Sequence, residues 1–197
     1  MAPADKGILG HGDAWTWTAI DSDAKLMVSY MVGKRDADYA LTFMTDVAAR
    51  CASRIQLSTD GNVPYLQAVE GAFGPDIDYG ILVKHYGGTN STEQRRYSPA
   101  EFVSAQRRVI TGSPDVSKIS TSHVERANLT MRMGMRRFTR LTNGFSKKVE
   151  NLEHSVSLHF MHYNFARIHK TLRVTPAMEA GIANHVWSLE EIAALAN

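Results

Sequence analysis

Apolar and polar residues alternate from Asp13 to Ile20, a stretch rich in Trp and Thr, and a second β-rich run extends from Leu26 to Val32. Between them Asp21-Ser-Asp-Ala-Lys25 supplies turn chemistry, so the pattern predicts a β-hairpin. The period then changes. From Asp36, which suits an N-cap, the residues Ala40, Phe43, Met44, Val47 and Cys51 share one face and predict a helix to about Arg54. A short apolar run, Ile55 to Thr59, ends at Asp60-Gly61. A second helix is predicted from about Pro64 to Gly74, and Asp78 to Lys84 reads as another short strand. Hairpin, helix, strand, helix, strand is the order of a mixed α/β sheet with helical crossovers.

From Gly87 to Thr121 the periodicity fades, except that Ser98-Pro-Ala-Glu101 has the residues of a capping box with proline at the first helical position. The stretch 87–121 therefore reads as an insertion with one short helix. Three further helices are expected: Val124 to about Leu141, Ser146 to about His169, and Ser188 to Ala196. A brief one starts at Thr175-Pro176. The C-terminal half is thus helix-rich, and neither an internal repeat nor a low-complexity tract interrupts it.

Composition changes this picture little. With 197 residues, 44% of them hydrophobic and 21% charged, the chain suits one globular domain over 1–197. Residues 1 to 13 lack the apolar run of a secretory signal, and nothing approaches the roughly 18 apolar residues of a spanning helix. A soluble cytoplasmic protein without a membrane is expected. The single cysteine, Cys51, builds no disulfide framework. Charge changes the picture more. Residues 1–90 hold 7 Lys/Arg against 11 Asp/Glu, whereas residues 91–197 hold 15 against 9. Between Glu125 and Glu150 every charged residue is basic: Arg126, Arg132, Arg136, Arg137, Arg140, Lys147 and Lys148. Such a stripe suits a polyanion such as nucleic acid, although a solvated helix face has the same composition.

Two acidic residues stand where chemistry is often found. Asp60 closes a predicted strand and precedes Gly61, a position facing the crevice beyond a sheet, though an ordinary turn uses the same residues. Glu125 completes Ser122-x-x-Glu125, which equally fits a capping box. Projected at about 100° per residue, Glu125, Asn128, Leu129, Arg132 and Arg136 fall on one side of a helix, with Arg140 at its edge. Val124, Ala127, Met131, Met135 and Phe138 fall on the other. A carboxylate followed by arginines suits a divalent metal at the first turn and a phosphate backbone farther along. Attack on a phosphodiester needs charge neutralisation and an activated oxygen nucleophile, which Mg²⁺ held by a few carboxylates provides. His154, His159, His162 and His169 invite a zinc reading, but no matching Cys or acidic spacing accompanies them, so packing roles are expected. Turn chemistry accounts for Asp21 and Asp23.

The ordered fragments Gly12-Asp-Ala-Trp-Thr-Trp-Thr-Ala-Ile-Asp21, Gln56-Leu-Ser-Thr-Asp-Gly61, Ser120 to Arg132, Arg136-Arg-Phe-Thr-Arg-Leu-Thr-Asn143, and Tyr163-Asn-Phe-Ala-Arg-Ile-His-Lys-Thr-Leu172 with Thr175-Pro-Ala177 cover nearly the whole chain. Together they resemble bacterial insertion-sequence transposases with a DDE catalytic core of the ribonuclease-H-like fold, related to retroviral-type integrases. The resemblance implies a mixed sheet flanked by helices and Mg²⁺- or Mn²⁺-dependent cleavage and strand transfer at transposon ends. It maps the second and third catalytic acids, both metal ligands, onto Asp60 and Glu125. Asn128, Arg132, Arg136, Arg137, Arg140, Lys147 and Lys148 become DNA-binding residues. Transposon-end and target DNA are the implied partners, with homo-oligomerisation when full length, in the bacterial cytoplasm. The insertion at 87–121 accounts for a long separation between the two acids. In such proteins the first acid lies on a central strand before the hairpin; residues 1–11 hold no equivalent. A core lacking that strand, truncated at its front end and impaired in strand transfer, is therefore expected. Two other readings stay open: a non-catalytic remnant binding DNA or full-length transposase, and a ribonuclease-H-like nuclease that cuts without joining.

Overall fold

A computed structural model describes residues 14–87, 102–138, 144, 146 and 148–195. The chain is α/β and groups into two compact units, one formed by residues up to Tyr39 and from His123 onward, the other by Ala40–Ser122.

The first unit opens with β1 (Trp15–Ile20) and β2 (Met27–Gly33), an antiparallel pair running from Trp15 opposite Gly33 to Ile20 opposite Met27. The predicted turn chemistry is visible at its tip. Asp21 Oδ1 accepts from the Asp23 amide at 2.8 Å, the Asp21 amide donates to Leu26 O at 2.9 Å, and Lys25 takes φ 58°. Gly33 permits a close approach, because a Cβ there would lie 1.9 Å from the Tyr39 ring. Helices α3 (Ser122–Gly134) and α4 (Val149–Met161) carry the rest of the core. Ala127, Met131 and Met135 recur every four residues, as do Val156 and Phe160, and they pack with Met27, Val32 and Tyr163. Phe160 stacks at a tilt on Tyr30, with ring centroids 5.1 Å apart. Burying side chains such as Val156 and Phe160 stabilises by about 1.5–3 kcal/mol each.

Two helices of this unit differ from expectation. The α-helix read from Val124 to Leu141 starts at Ser122 and ends at Gly134, followed by a 3₁₀ turn at Arg136–Phe138. Glycine is the weakest non-proline helix former, so the apolar period continued past the point where helical geometry stops. The helix expected from Ser146 to His169 runs from Val149 to Met161 and then widens into a π turn, His162–Ala166. Tertiary hydrogen bonds explain that widening. Within this turn the buried Asn164 accepts from the Met27 amide at 2.9 Å and donates to Met27 O at 3.0 Å, while Tyr163 OH donates to Lys25 O at 3.0 Å. The Tyr163-Asn164 pair thus clamps the exit of the hairpin turn. Beyond it, Thr175 caps the short α5 (Pro176–Glu179) and Ser188 forms a capping box with Glu191 on α6 (Leu189–Ala194).

The second unit holds most of α1 (Ala37–Ala49), whose Phe43, Met44 and Val47 are buried as the spacing predicts; the helix ends before the expected Arg54. Strand β3 (Gln56–Asp60) lies parallel to β4 (Asp78–Tyr86), joined by α2 (Val63–Phe73). Strand β5 (Phe102–Thr111) then pairs antiparallel with β4, giving a mixed three-stranded sheet in the order β3-β4-β5. No strand was expected within 87–121, and β5 is one; Ser98 to Glu101, where one short helix was expected, lie outside the described residues. Every residue from Phe102 to Ile110 is exposed, so no buried face imposes the alternation by which strands are recognised. At the start of β4, Arg54 grips both Asp78 carboxylate oxygens, at 2.9 and 3.1 Å, together with Ile77 O and Pro75 O. The Arg54 guanidinium, helped by the Ser113 amide, lowers the Asp78 pKa from 3.8 to about 2. Gly112 closes this corner at φ +71°, where a Cβ would meet Asp78 Oδ1 at 2.2 Å.

No helix among the described residues is long and apolar enough to cross a membrane.

Candidate functional site

Asp60 is the last residue of β3, exposed, with Leu82 of β4 as its register partner. Its Oδ1 accepts from the Asn62 amide at 3.1 Å, so the turn role and the strand-end position coexist on one side chain. Beneath it Thr59 Oγ1 and Tyr79 OH meet at 2.7 Å, and burial raises the Tyr79 pKa. Asp60 thus stands on a strand whose preceding residue is held by a buried hydroxyl pair.

Glu125 lies in the first turn of α3 and is exposed. One turn on, Asn128 is half-buried, and its Oδ1 accepts from Thr18 Oγ1 of β1 at 3.0 Å. That bond ties α3 to the hairpin, a positioning role that helical projection alone did not reveal. Arg126 and Arg132 are exposed on α3. Leu129 and Met133 are exposed too, at 41% and 79%, while Ala127, Met131 and Met135 are buried. The two-sided character of the helix therefore stands to Gly134. Beyond it Arg136 and Arg137 sit on the 3₁₀ turn, both exposed, and Arg137 donates to Ser146 Oγ. The expected single helical ladder of cations is thus broken after Arg132 into a helix and a turn. Lys148 is exposed at the N-cap of α4, where its side chain forms no capping bond and a cation opposes the helix dipole. Arg140 and Lys147 lie outside the described residues.

The histidines do not converge. His159 and His162 line a cavity of about 370 Å³ with Met135, Ser155, Leu158, Leu189 and Ile192, and burial, followed by the neighbouring His162 and Arg167, lowers the His159 pKa. His159 packs edge-on against Phe160. Among the described residues no cluster of three or more His, Cys, Asp or Glu side chains is placed to hold a metal ion. Asp60 and Glu125 are exposed carboxylates, an oxygen-donor chemistry that fits a hard cation such as Mg²⁺ or Mn²⁺, which keeps several waters. Asp60 belongs to the second unit and Glu125 to the first.

No protein family, no curated protein and no solved structure matches this chain. Further exposed cations lie in the second unit, Arg107 and Arg108 on β5 and Lys118 beyond it, of which Arg107 Nε donates to Ile119 O at 3.0 Å. The paired arginines were the only available signal, in a stretch without periodicity.

Proposed function

We propose that this chain is a transposase-type DNA-processing protein with a ribonuclease-H-like core, in which the cations of α3 and the segment after it engage the phosphate backbone. The observation that carries the reading is the division of α3. Glu125, Arg126 and Arg132 are exposed, followed by exposed Arg136 and Arg137, while Ala127 and Met131 anchor the opposite face. Arginine offers bidentate donors to phosphate, and exposed arginines beside a carboxylate match what a polyanionic substrate and its counter-cation require.

In this proposal Asp60 and Glu125 are each a carboxylate ligand for Mg²⁺ or Mn²⁺. The cation, when bound, supplies charge neutralisation on the phosphodiester under attack. Arg132, Arg136 and Arg137 hold the backbone, with Lys148 and, outside the described residues, Arg140 and Lys147 extending the grip. Asn128, through its bond to Thr18, fixes the orientation of α3 and hence of Glu125. The ordered fragments from Gly12 to Ala177 and their resemblance to DDE transposases support strand transfer as the reaction.

A second reading, a non-catalytic chain that binds DNA or a full-length transposase, is favoured by the strand pairing: among the described residues β1 pairs only with β2. Incubation of the chain with Mg²⁺ and an oligonucleotide duplex bearing a 3′-hydroxyl end separates the possibilities. Joining of that end to a second duplex, lost in Asp60→Asn, supports the transposase reading. Cutting without joining indicates a nuclease, and binding without either leaves the non-catalytic role.

A further inference from the structure

We infer that the tip of the hairpin forms a phosphate-binding site with the opening of α3 and the segment after the π turn, with Lys25, His123 and His169 as its donors and Arg167 at its edge. The site uses none of the arginines assigned above to the α3 grip, and it holds whether or not the chain cuts or joins DNA. Its residues come from stretches far apart in sequence but all within the first unit. Lys25 Nζ, at the turn between β1 and β2, lies 3.5 Å from His123 Nδ1 in the first turn of α3. The Lys25 carbonyl accepts from Tyr163 OH at 3.0 Å, which holds the tip against the turn that leads to Arg167 and His169. Burial, and then the charges of Lys25 and Arg167, lower the His169 pKa, so both cations stand close enough to act on that ring.

The class of ligand follows from the fact that every group here donates. A lysine ammonium has donors and no acceptor. One Lys25 N–H serves Ser22 O and a second faces His123 Nδ1, which leaves the third to a ligand. With Nδ1 accepting, neutral His123 carries its proton on Nε2. His169 Nδ1 is buried without a hydrogen-bond partner, so a proton there would lack an acceptor and belongs on Nε2 as well. The Arg167 guanidinium likewise only donates. The nearby acids of the turn are engaged with the turn itself: Asp21 Oδ1 accepts from the Asp23 amide at 2.8 Å, and Asp23 Oδ1 from Ser22 Oγ at 3.5 Å. Among the described residues no ion pair includes Lys25 or Arg167. Between Glu153 and Glu179 every charged residue is basic, namely Arg167, Lys170 and Arg173. An acceptor-only anion completes such a set. Phosphate, whose oxygens point tetrahedrally and form charge-assisted bonds, suits donors that approach from separate segments better than a planar carboxylate does.

Proton NMR of the imidazole rings reads this site directly, with signals assigned from His123→Gln and His169→Gln. Titration of the full chain with inorganic phosphate, at one pH and at constant ionic strength set with chloride, should shift the His123 and His169 signals saturably and leave in place those of His185, which is bonded to Glu191. Lys25→Gln keeps the backbone carbonyl that Tyr163 OH holds, so the hairpin is retained, and it should weaken phosphate binding at least about fivefold. A DNA duplex distinguishes the two sources of the ligand. Movement of the same two rings by the duplex assigns the site to the nucleic-acid backbone, whereas movement by phosphate alone assigns it to a free phosphate or phosphomonoester. Chloride moving the rings as far as phosphate does, rings that respond to neither phosphate nor duplex, or affinity unchanged in Lys25→Gln would each overturn the site.

Discussion

Replacing Asn164 with alanine should destabilise the first unit by about 2–6 kcal/mol. The figure follows from what the amide touches. Its oxygen accepts from the Met27 amide at 2.9 Å and its nitrogen donates to Met27 O at 3.0 Å. Asn164 is 8% exposed and Met27 3%, so truncation leaves two buried backbone groups without partners. Each unsatisfied buried group costs about 1–3 kcal/mol. Two control variants divide the effect. Asn164→Asp keeps an acceptor for the Met27 amide but loses the donor to Met27 O, and a charged carboxylate at that depth adds its own desolvation cost. Tyr163→Phe removes one bond, from Tyr163 OH to Lys25 O at 3.0 Å, and should cost about 1 kcal/mol. Urea denaturation followed by circular dichroism measures all three. A loss below 1 kcal/mol for Asn164→Ala, with an unchanged denaturant slope, would refute the view that this turn clamps the hairpin.

Two further outcomes follow from the same structure. Arg132→Ala combined with Arg136→Ala should weaken duplex DNA binding and reduce the slope of log K against log salt by about 1.8, since each phosphate contact contributes about 0.9; fluorescence anisotropy across a salt series measures this, and an unchanged slope removes these arginines from the DNA interface. The Asp78 pKa is lowered from 3.8 to about 2 in the folded chain, so its stabilising effect is complete above about pH 4 and is lost as pH falls through 2. Thermal melts should therefore show Arg54→Ala well below wild type at pH 6, with the gap closing between pH 4 and 2; a constant gap would contradict the pairing.

The elements with one buried face were legible in the sequence. Phe43, Met44 and Val47 marked α1, and the turn chemistry at Asp21 to Lys25 located the hairpin, because burial imposes a period and turns demand particular residues. Strand β5 escaped for the converse reason: with both faces in water, Phe102 to Ile110 carry no alternation to read. The ends of α3 and α4 were misjudged where something other than amphipathicity decides them, Gly134 in one case and the tertiary bonds of Tyr163 and Asn164 in the other. At the candidate site, the exposure of Glu125 and Arg132 followed from helical projection, whereas Arg136 is exposed on a 3₁₀ turn after the helix has ended. The anchoring of Asn128 to Thr18 did not follow, because a bond between residues so distant in sequence leaves no local trace. Asp60 stayed ambiguous in sequence because a strand-end carboxylate and a turn-capping carboxylate are the same residue type, and here Asp60 also serves the Asn62 amide.

Calorimetric titration of the chain with Mn²⁺ tests the proposal that Asp60 and Glu125 are metal ligands. Saturable uptake by the unaltered protein, abolished by Asp60→Asn and again by Glu125→Gln with circular dichroism unchanged, is the predicted result. Uptake that persists at full affinity in either variant would contradict it.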